Sequence, residues 1–173
     1  MAWPVLVARL SAASIGDTYN QYARSPLCRK RLEEYLARAR DARILLVGEA
    51  AGYRGARVSG VPFTSERQLT GKGPAEATAT IVHRVLAELG VEDDVLLWNV
   101  VPTHPHRPGE PASNRGPNAA EIAAARPFLD ELAHERTVVP VGRVAEAALD
   151  IRGIRHPSHG GAVAFREGLA RLV

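Results

Sequence analysis

Four short runs of apolar, largely β-branched residues punctuate the chain, at 44–47, 95–101, 137–141 and, more weakly, 151–155. Strands that are apolar throughout are buried on both faces, as in a parallel sheet between two layers of helices. Helical patterns lie between and around them. Residues 27–39 set Leu32, Tyr35, Leu36 and Ala39 on one face among Arg and Glu. Residues 75–89 place Ile81, Val82, Val85, Leu86 and Leu89 at helical spacing, with Pro74 before and Gly90 after as start and stop signals. Asn118 followed by Glu121 reads as a capping pair, Pro127 is expected to break or restart that helix, and residues 162–172 read as a closing helix. The expected fold class is therefore α/β: three layers, α/β/α, around a central, mostly parallel four-stranded sheet.

The chain of 173 residues fits one domain. We expect an N-terminal helical part over residues 1–41 and an α/β core over 42–173. No apolar run approaches the roughly 18 residues of a membrane span, and the N-terminus lacks the charged region of a signal peptide. Cys28, the single cysteine, excludes an internal disulfide framework and an all-cysteine metal cluster within one chain. A reducing, cytoplasmic location is the expectation. Lys30 and Lys72 are the only lysines among 22 basic residues. The remaining arginine forks suit phosphate oxygens, although a net charge of +3 only permits nucleic-acid binding.

Two Gly/Pro-rich stretches, 48–74 and 102–117, directly follow the first and second strands. Ligands of open α/β sheets bind at the carboxyl ends of strands, and long loops in a compact domain are usually functional. The strand ends carry Gly48-Glu49, Asn99, Gly142-Arg143 and His156-Pro157-Ser158-His159. In a parallel sheet these ends share one edge, so a carboxylate, a carboxamide and an imidazole can converge on one small polar ligand.

Here the sequence resembles the uracil-DNA glycosylase superfamily over roughly residues 42–170. Gly48-Glu49-Ala50-Ala51-Gly52 resembles the water-activating loop, closest to that of the iron–sulfur group (family four). Gly60-Val61-Pro62-Phe63 resembles the segment whose ring stacks on uracil. Asn99-Val100-Val101 matches the uracil-reading asparagine, and His156-Pro157-Ser158 the start of the loop that enters DNA. Asn114-Arg115-Gly116-Pro117 and Arg126-Pro127-Phe128-Leu129 extend the likeness. The resemblance implies a monomeric enzyme of base-excision repair, needing no cofactor, that acts on DNA containing uracil or other deaminated bases and not on membranes. It implies Glu49 and His156 as catalytic residues, and Gly48, Gly52, Phe63 and Asn99 as base-binding ones. Ser65, Arg115, Ser158, His159 and Gly160 are the expected DNA contacts.

Several positions depart from that pattern. Thr103 and Ala125 stand where the iron–sulfur group has cysteines, and Cys28 alone cannot hold a cluster. No cluster and no metal is therefore expected, and hydrogen bonds and packing must hold that segment. Ala51 replaces a proline. Ala50 stands where the most uracil-specific family has an aspartate, which leaves water handling to Glu49. Gly52 takes the place of the tyrosine that bars thymine there, so broader base tolerance is expected. His159-Gly160 replaces an apolar wedge. Two rival readings remain: a metal-dependent hydrolase built on His104, His106, His156 and His159, and a non-catalytic module that grips uracil-containing DNA. An intact Glu49 favours catalysis over the latter.

Overall fold

The computed structural model describes residues 3–173. Three helices come first: α1 (Trp3–Ala12), α2 (Gln21–Arg24) and α3 (Pro26–Arg38). Asn20 and Ser25 cap the second and third through their side-chain oxygens. The chain then enters β1 (Ile44–Ala50), followed by the short helices α4 (Ala56–Ser59) and α5 (Glu66–Thr70) and by α6 (Ala77–Leu89). After β2 (Val95–Val101) come α7 (Ala119–Ala133), β3 (Thr137–Pro140), α8 (Arg143–Leu149) and α9 (Ala162–Ala170).

The strands are parallel, in the order β2-β1-β3. Alternate strand residues feed two cores, as the period of two requires. Leu45, Val47, Leu96 and Trp98 pack with Leu6, Leu10, Leu32, Leu36, Leu129 and Leu132 from α1, α3 and α7. Ile44, Leu46, Val95 and Leu97 pack with Val82, Val85, Phe165 and Leu169 from α6 and α9. The result is the expected three-layer α/β/α arrangement. Tyr35 reaches the outer edge of β2, where its hydroxyl accepts a hydrogen bond from the Leu97 N–H at 2.6 Å.

The sheet has three strands, not the expected four. Residues 151–155 make a single parallel bridge, Val141 with Ile154, held by two backbone bonds of 2.8 and 2.9 Å. Pro157 has no N–H with which to continue a ladder, and the segment turns away into the loop that carries His156. Helix α7 runs through Pro127 instead of breaking there. Its buried Ala125, Phe128, Leu129 and Leu132 hold both halves on one core. Among the described residues no helix is long and apolar enough to cross a membrane.

Candidate active site

Gly48 and Asn99 are register partners at the carboxyl ends of β1 and β2. A Cβ on Gly48 would collide with the Phe63 ring and stand 2.9 Å from Asn99 Oδ1. Only glycine lets strand, ring and carboxamide meet at one point. Phe63 itself has a φ of 51°, a left-handed conformation that costs a bulky L-residue about 1–2 kcal/mol. That turn folds the 48–74 segment back over the end of β1.

These residues line a cavity of about 190 Å³ together with Glu49, Gly52, Glu76, Asn114, Arg115 and His156. Asn99 is only 4% exposed, yet among the described residues neither carboxamide atom makes a hydrogen bond. A buried amide left open towards a cavity is costly unless a ligand satisfies it. The half-buried Glu49 carboxyl also lacks a donor, and burial raises its pKa above the ordinary carboxylate value.

The tautomer of His156 follows from its neighbours. The Ser158 N–H, which can only donate, points at His156 Nδ1 at 3.1 Å, and the Ser158 hydroxyl lies 2.7 Å from the same nitrogen. Nδ1 therefore carries the lone pair and Nε2 the proton. Burial first, then Arg155 and His159, lowers the pKa of this imidazole, so the ring is neutral at pH 7 and presents an Nε2–H donor.

A second groove of about 690 Å³ adjoins the cavity and shares Glu49 and His156 with it. Arg143, Arg152, Arg155, Ser158 and His159 line it. His159 and Gly160 are exposed in left-handed conformations, φ 51° and 75°, at the tip of the loop before α9. Ser158, His159 and Gly160 thus lie together beside the cavity mouth.

Two expected DNA contacts are placed otherwise. Ser65 is fully buried, where it forms a capping box with Gln68 at the start of α5. Arg115 borders the cavity, but its guanidinium donates to both Glu121 oxygens (2.9 and 2.6 Å), to the His106 carbonyl (2.8 Å) and to the Gly116 carbonyl (3.1 Å). Glu121 is 0% exposed and also caps α7 through the Asn118 N–H. Arg115 is thus a strut that ties the 102–117 loop to α7. Asn114 ties the same loop to the first one by accepting the Tyr53 N–H at 2.9 Å.

The stretch after β2 is held by hydrogen bonds. Thr103 and Thr18 share one at 2.6 Å, Gln21 donates to the Pro102 carbonyl at 2.8 Å, and His104 Nδ1–H donates to the Ala51 carbonyl at 2.8 Å. Ala125 is sealed in the core, and Cys28 lies against the Val58 carbonyl. These donors do not fit an iron–sulfur cluster, which takes four thiolates. Among the described residues no three His, Cys, Asp or Glu side chains are grouped to hold a metal ion.

Sequence reasoning missed Glu76, Ala56, Thr78 and Ala79, which also line the cavity, and of these Glu76 carries the charge. It precedes α6, where an acidic residue reads simply as a complement to the helix dipole.

A parallel α/β sandwich that gathers an acid, a carboxamide, an imidazole and an aromatic ring at one sheet edge is the architecture of an α/β DNA glycosylase. The chain belongs to the uracil DNA glycosylase superfamily, whose family model matches residues 36–169. Its fold is similar to that of wild-type SMUG2 from Pedobacter heparinus, with a TM-score of 0.68 at 12% identity over 99% of this chain and 97% of that one. Wild-type UNG from Nitratifractor salsuginis gives a TM-score of 0.48 at 16% identity, over 96% and 92%. No curated protein matches the sequence.

Proposed function

We propose that this single-domain protein is a monofunctional glycosylase that hydrolyses the N-glycosidic bond of uracil in DNA, without metal or cofactor. The carrying observation is the buried, unpartnered Asn99 carboxamide opening onto the cavity that Glu49, Phe63 and His156 also line. An extruded pyrimidine would satisfy it. Asn99 accepts from uracil N3–H and donates to O4, whereas cytosine presents the opposite pattern. Phe63 stacks on the ring, which is worth roughly 1–3 kcal/mol.

As the bond between C1′ and N1 breaks, its electron pair passes to the base and accumulates on O2. The neutral His156 donates its Nε2–H there, and a preorganised donor of this kind contributes about 3 kcal/mol. The sugar becomes cationic. Glu49, as carboxylate, stabilises it and takes a proton from the water whose oxygen bonds to C1′. The base leaves as its anion and takes up a proton from solvent, Glu49 returns its own proton to solvent, and the products are free uracil and an abasic site. The arginine-lined groove beside the cavity suits the flanking phosphates, with Ser158, His159 and Gly160 at its rim.

The test is an abasic-site assay on oligonucleotides that each carry one uracil, run beside the same strands with cytosine. Strand scission after alkali in the uracil arm alone is expected. Tight binding of uracil-containing DNA without any release of base would replace this reading with that of a binding module.

A further inference from the structure

The ring over the cavity sits on a turn that needs outside support. Val61-Pro62-Phe63-Thr64 closes through the Thr64 N–H, which donates to the Val61 carbonyl at 3.2 Å. Proline second and a positive φ third, 51° at Phe63, is the pattern of a type II turn. That third place suits glycine, and a bulky residue is strained there. Rotating the Pro62–Phe63 peptide plane towards a type I turn carries the Phe63 φ to about −90° and relieves the strain. The rotation also tilts the Cα–Cβ bond and displaces the far end of the ring, which packs against Gly48.

A chain of two hydrogen bonds opposes that rotation. The Thr64 hydroxyl donates to the Pro62 carbonyl at 3.0 Å. The Pro62 oxygen is the end of the peptide that would swing, and among the described residues this is the one hydrogen bond that peptide makes. His83, in the middle of α6, stands 2.9 Å from the same hydroxyl through Nε2. The Pro62 carbonyl can only accept, so the hydroxyl proton goes to it and Nε2–H donates to Thr64 Oγ1. Burial lowers the pKa of this imidazole, against the opposing pull of the Phe63 carbonyl and Glu92, so the ring is neutral at pH 7. Thr64 is buried, away from water that could take the place of the imidazole. His83 does not line the base cavity; it borders a separate one of about 210 Å³ with Tyr35, Leu86 and Leu97. Its route to the base therefore runs through the turn.

We propose that His83 is a positioning residue for the stacking ring: its Nε2–H fixes the Thr64 hydroxyl on the Pro62 carbonyl and so locks the turn that sets Phe63 over the cavity. Its consequence for catalysis rests on the glycosylase reading, whereas its geometry rests on the turn alone.

The experiment reads ring and reaction separately. Phe63, Phe128 and Phe165 are the only phenylalanines, so the full chain carrying ring-¹³C phenylalanine shows three sets of aromatic signals by NMR. Their loss in Phe63→Leu assigns those of Phe63. In His83→Leu the Phe63 signals should shift or broaden while the other two sets stay in place, and kcat/KM for uracil excision should fall about tenfold, the scale of a misplaced positioning group. His83→Gln keeps an amide donor and should recover part of both. Thr64→Val removes the hydroxyl from the other side of the link. It should give the same pair of changes, add little when combined with His83→Leu, and stand in should the leucine variant fail to fold. Unmoved Phe63 signals or an unchanged rate in the folded variants overturns the proposal. Equal losses in His83→Gln and His83→Leu overturn it too, because the donor is then not what matters. Failure of the wild type to release uracil would instead sink the glycosylase reading, with the ring signals still reporting on the turn.

Discussion

Gly48 and Asn99 stand on the same rung of the sheet, paired across β1 and β2, with Asn99 Oδ1 only 2.9 Å from where a Gly48 Cβ would be. Both loops of the site start two residues beyond this rung, after Ala50 and Val101. Glu49 is the next residue on one strand, and the Phe63 ring lies across the glycine. Gly48→Ala should push the ring out of the cavity. We expect a loss of uracil excision of about tenfold or more, the scale set by misplacing groups that hold a substrate in line, with a near wild-type melting temperature. Unaltered turnover in this variant would mean that the ring does not take part in holding the base.

Glu49 has no donor to compete with a water molecule for its carboxylate. Glu49→Gln and Glu49→Ala should retain affinity for uracil-containing DNA and lose roughly 10²–10⁴-fold in single-turnover rate. Binding measured by fluorescence anisotropy and excision measured on the same oligonucleotide would separate the two effects. An alanine variant that cuts at the wild-type rate would remove Glu49 from the mechanism.

Acidity should act through the same carboxylate. Glu49 works ionised, and burial lifts its pKa above the usual carboxylate value, so activity is lost as pH falls through that raised value. His156 works neutral, and burial with Arg155 and His159 lowers its pKa below the usual imidazole value. Its protonation therefore adds to the loss on the acid side. The profile of kcat/KM should rise from acid pH and level off once pH is above both values. A rate that declines as pH rises would point to a group that works in its protonated form, and Glu76 is the other carboxyl in the cavity with a raised pKa. His156→Ala should cost roughly 10²-fold.

The Arg115–Glu121 pair is a stability element. Glu121 is fully buried, and the Arg115 hydrogen bonds, ahead of its other contacts, hold its pKa down. A carboxyl with a depressed folded pKa stabilises the protein above its unfolded value. That stabilisation fades as pH falls through the lower, folded value. Arg115→Ala strands a buried charge and should cost about 3–5 kcal/mol, read from urea unfolding at pH 7. The deficit relative to wild type should shrink in acid. An equal deficit at pH 3 and pH 7 would contradict the pairing argument.

The three strands and the four helices α3, α6, α7 and α9 were legible in the sequence, because each depends on local periodicity and its start and stop signals. The capping pair at Asn118 and Glu121 was legible for the same reason. Ser65 shows the limit. A serine in a Gly/Pro-rich loop reads as an exposed phosphate contact, but the fold buries it as the N-cap of α5. Arg115 looked available to DNA until α7 brought Glu121 against it.

The sequence alone determined a parallel α/β sheet with an acid, a carboxamide and an imidazole at one edge, since strand direction and residue order suffice for that. Only the tertiary structure decided that residues 151–155 make a single bridge, that His156 carries its proton on Nε2, and that Glu76 joins the cavity. Each of these turns on which donor, acceptor or glycine lies within a few ångströms through space. Such contacts join loops far apart along the chain, and no local pattern encodes them.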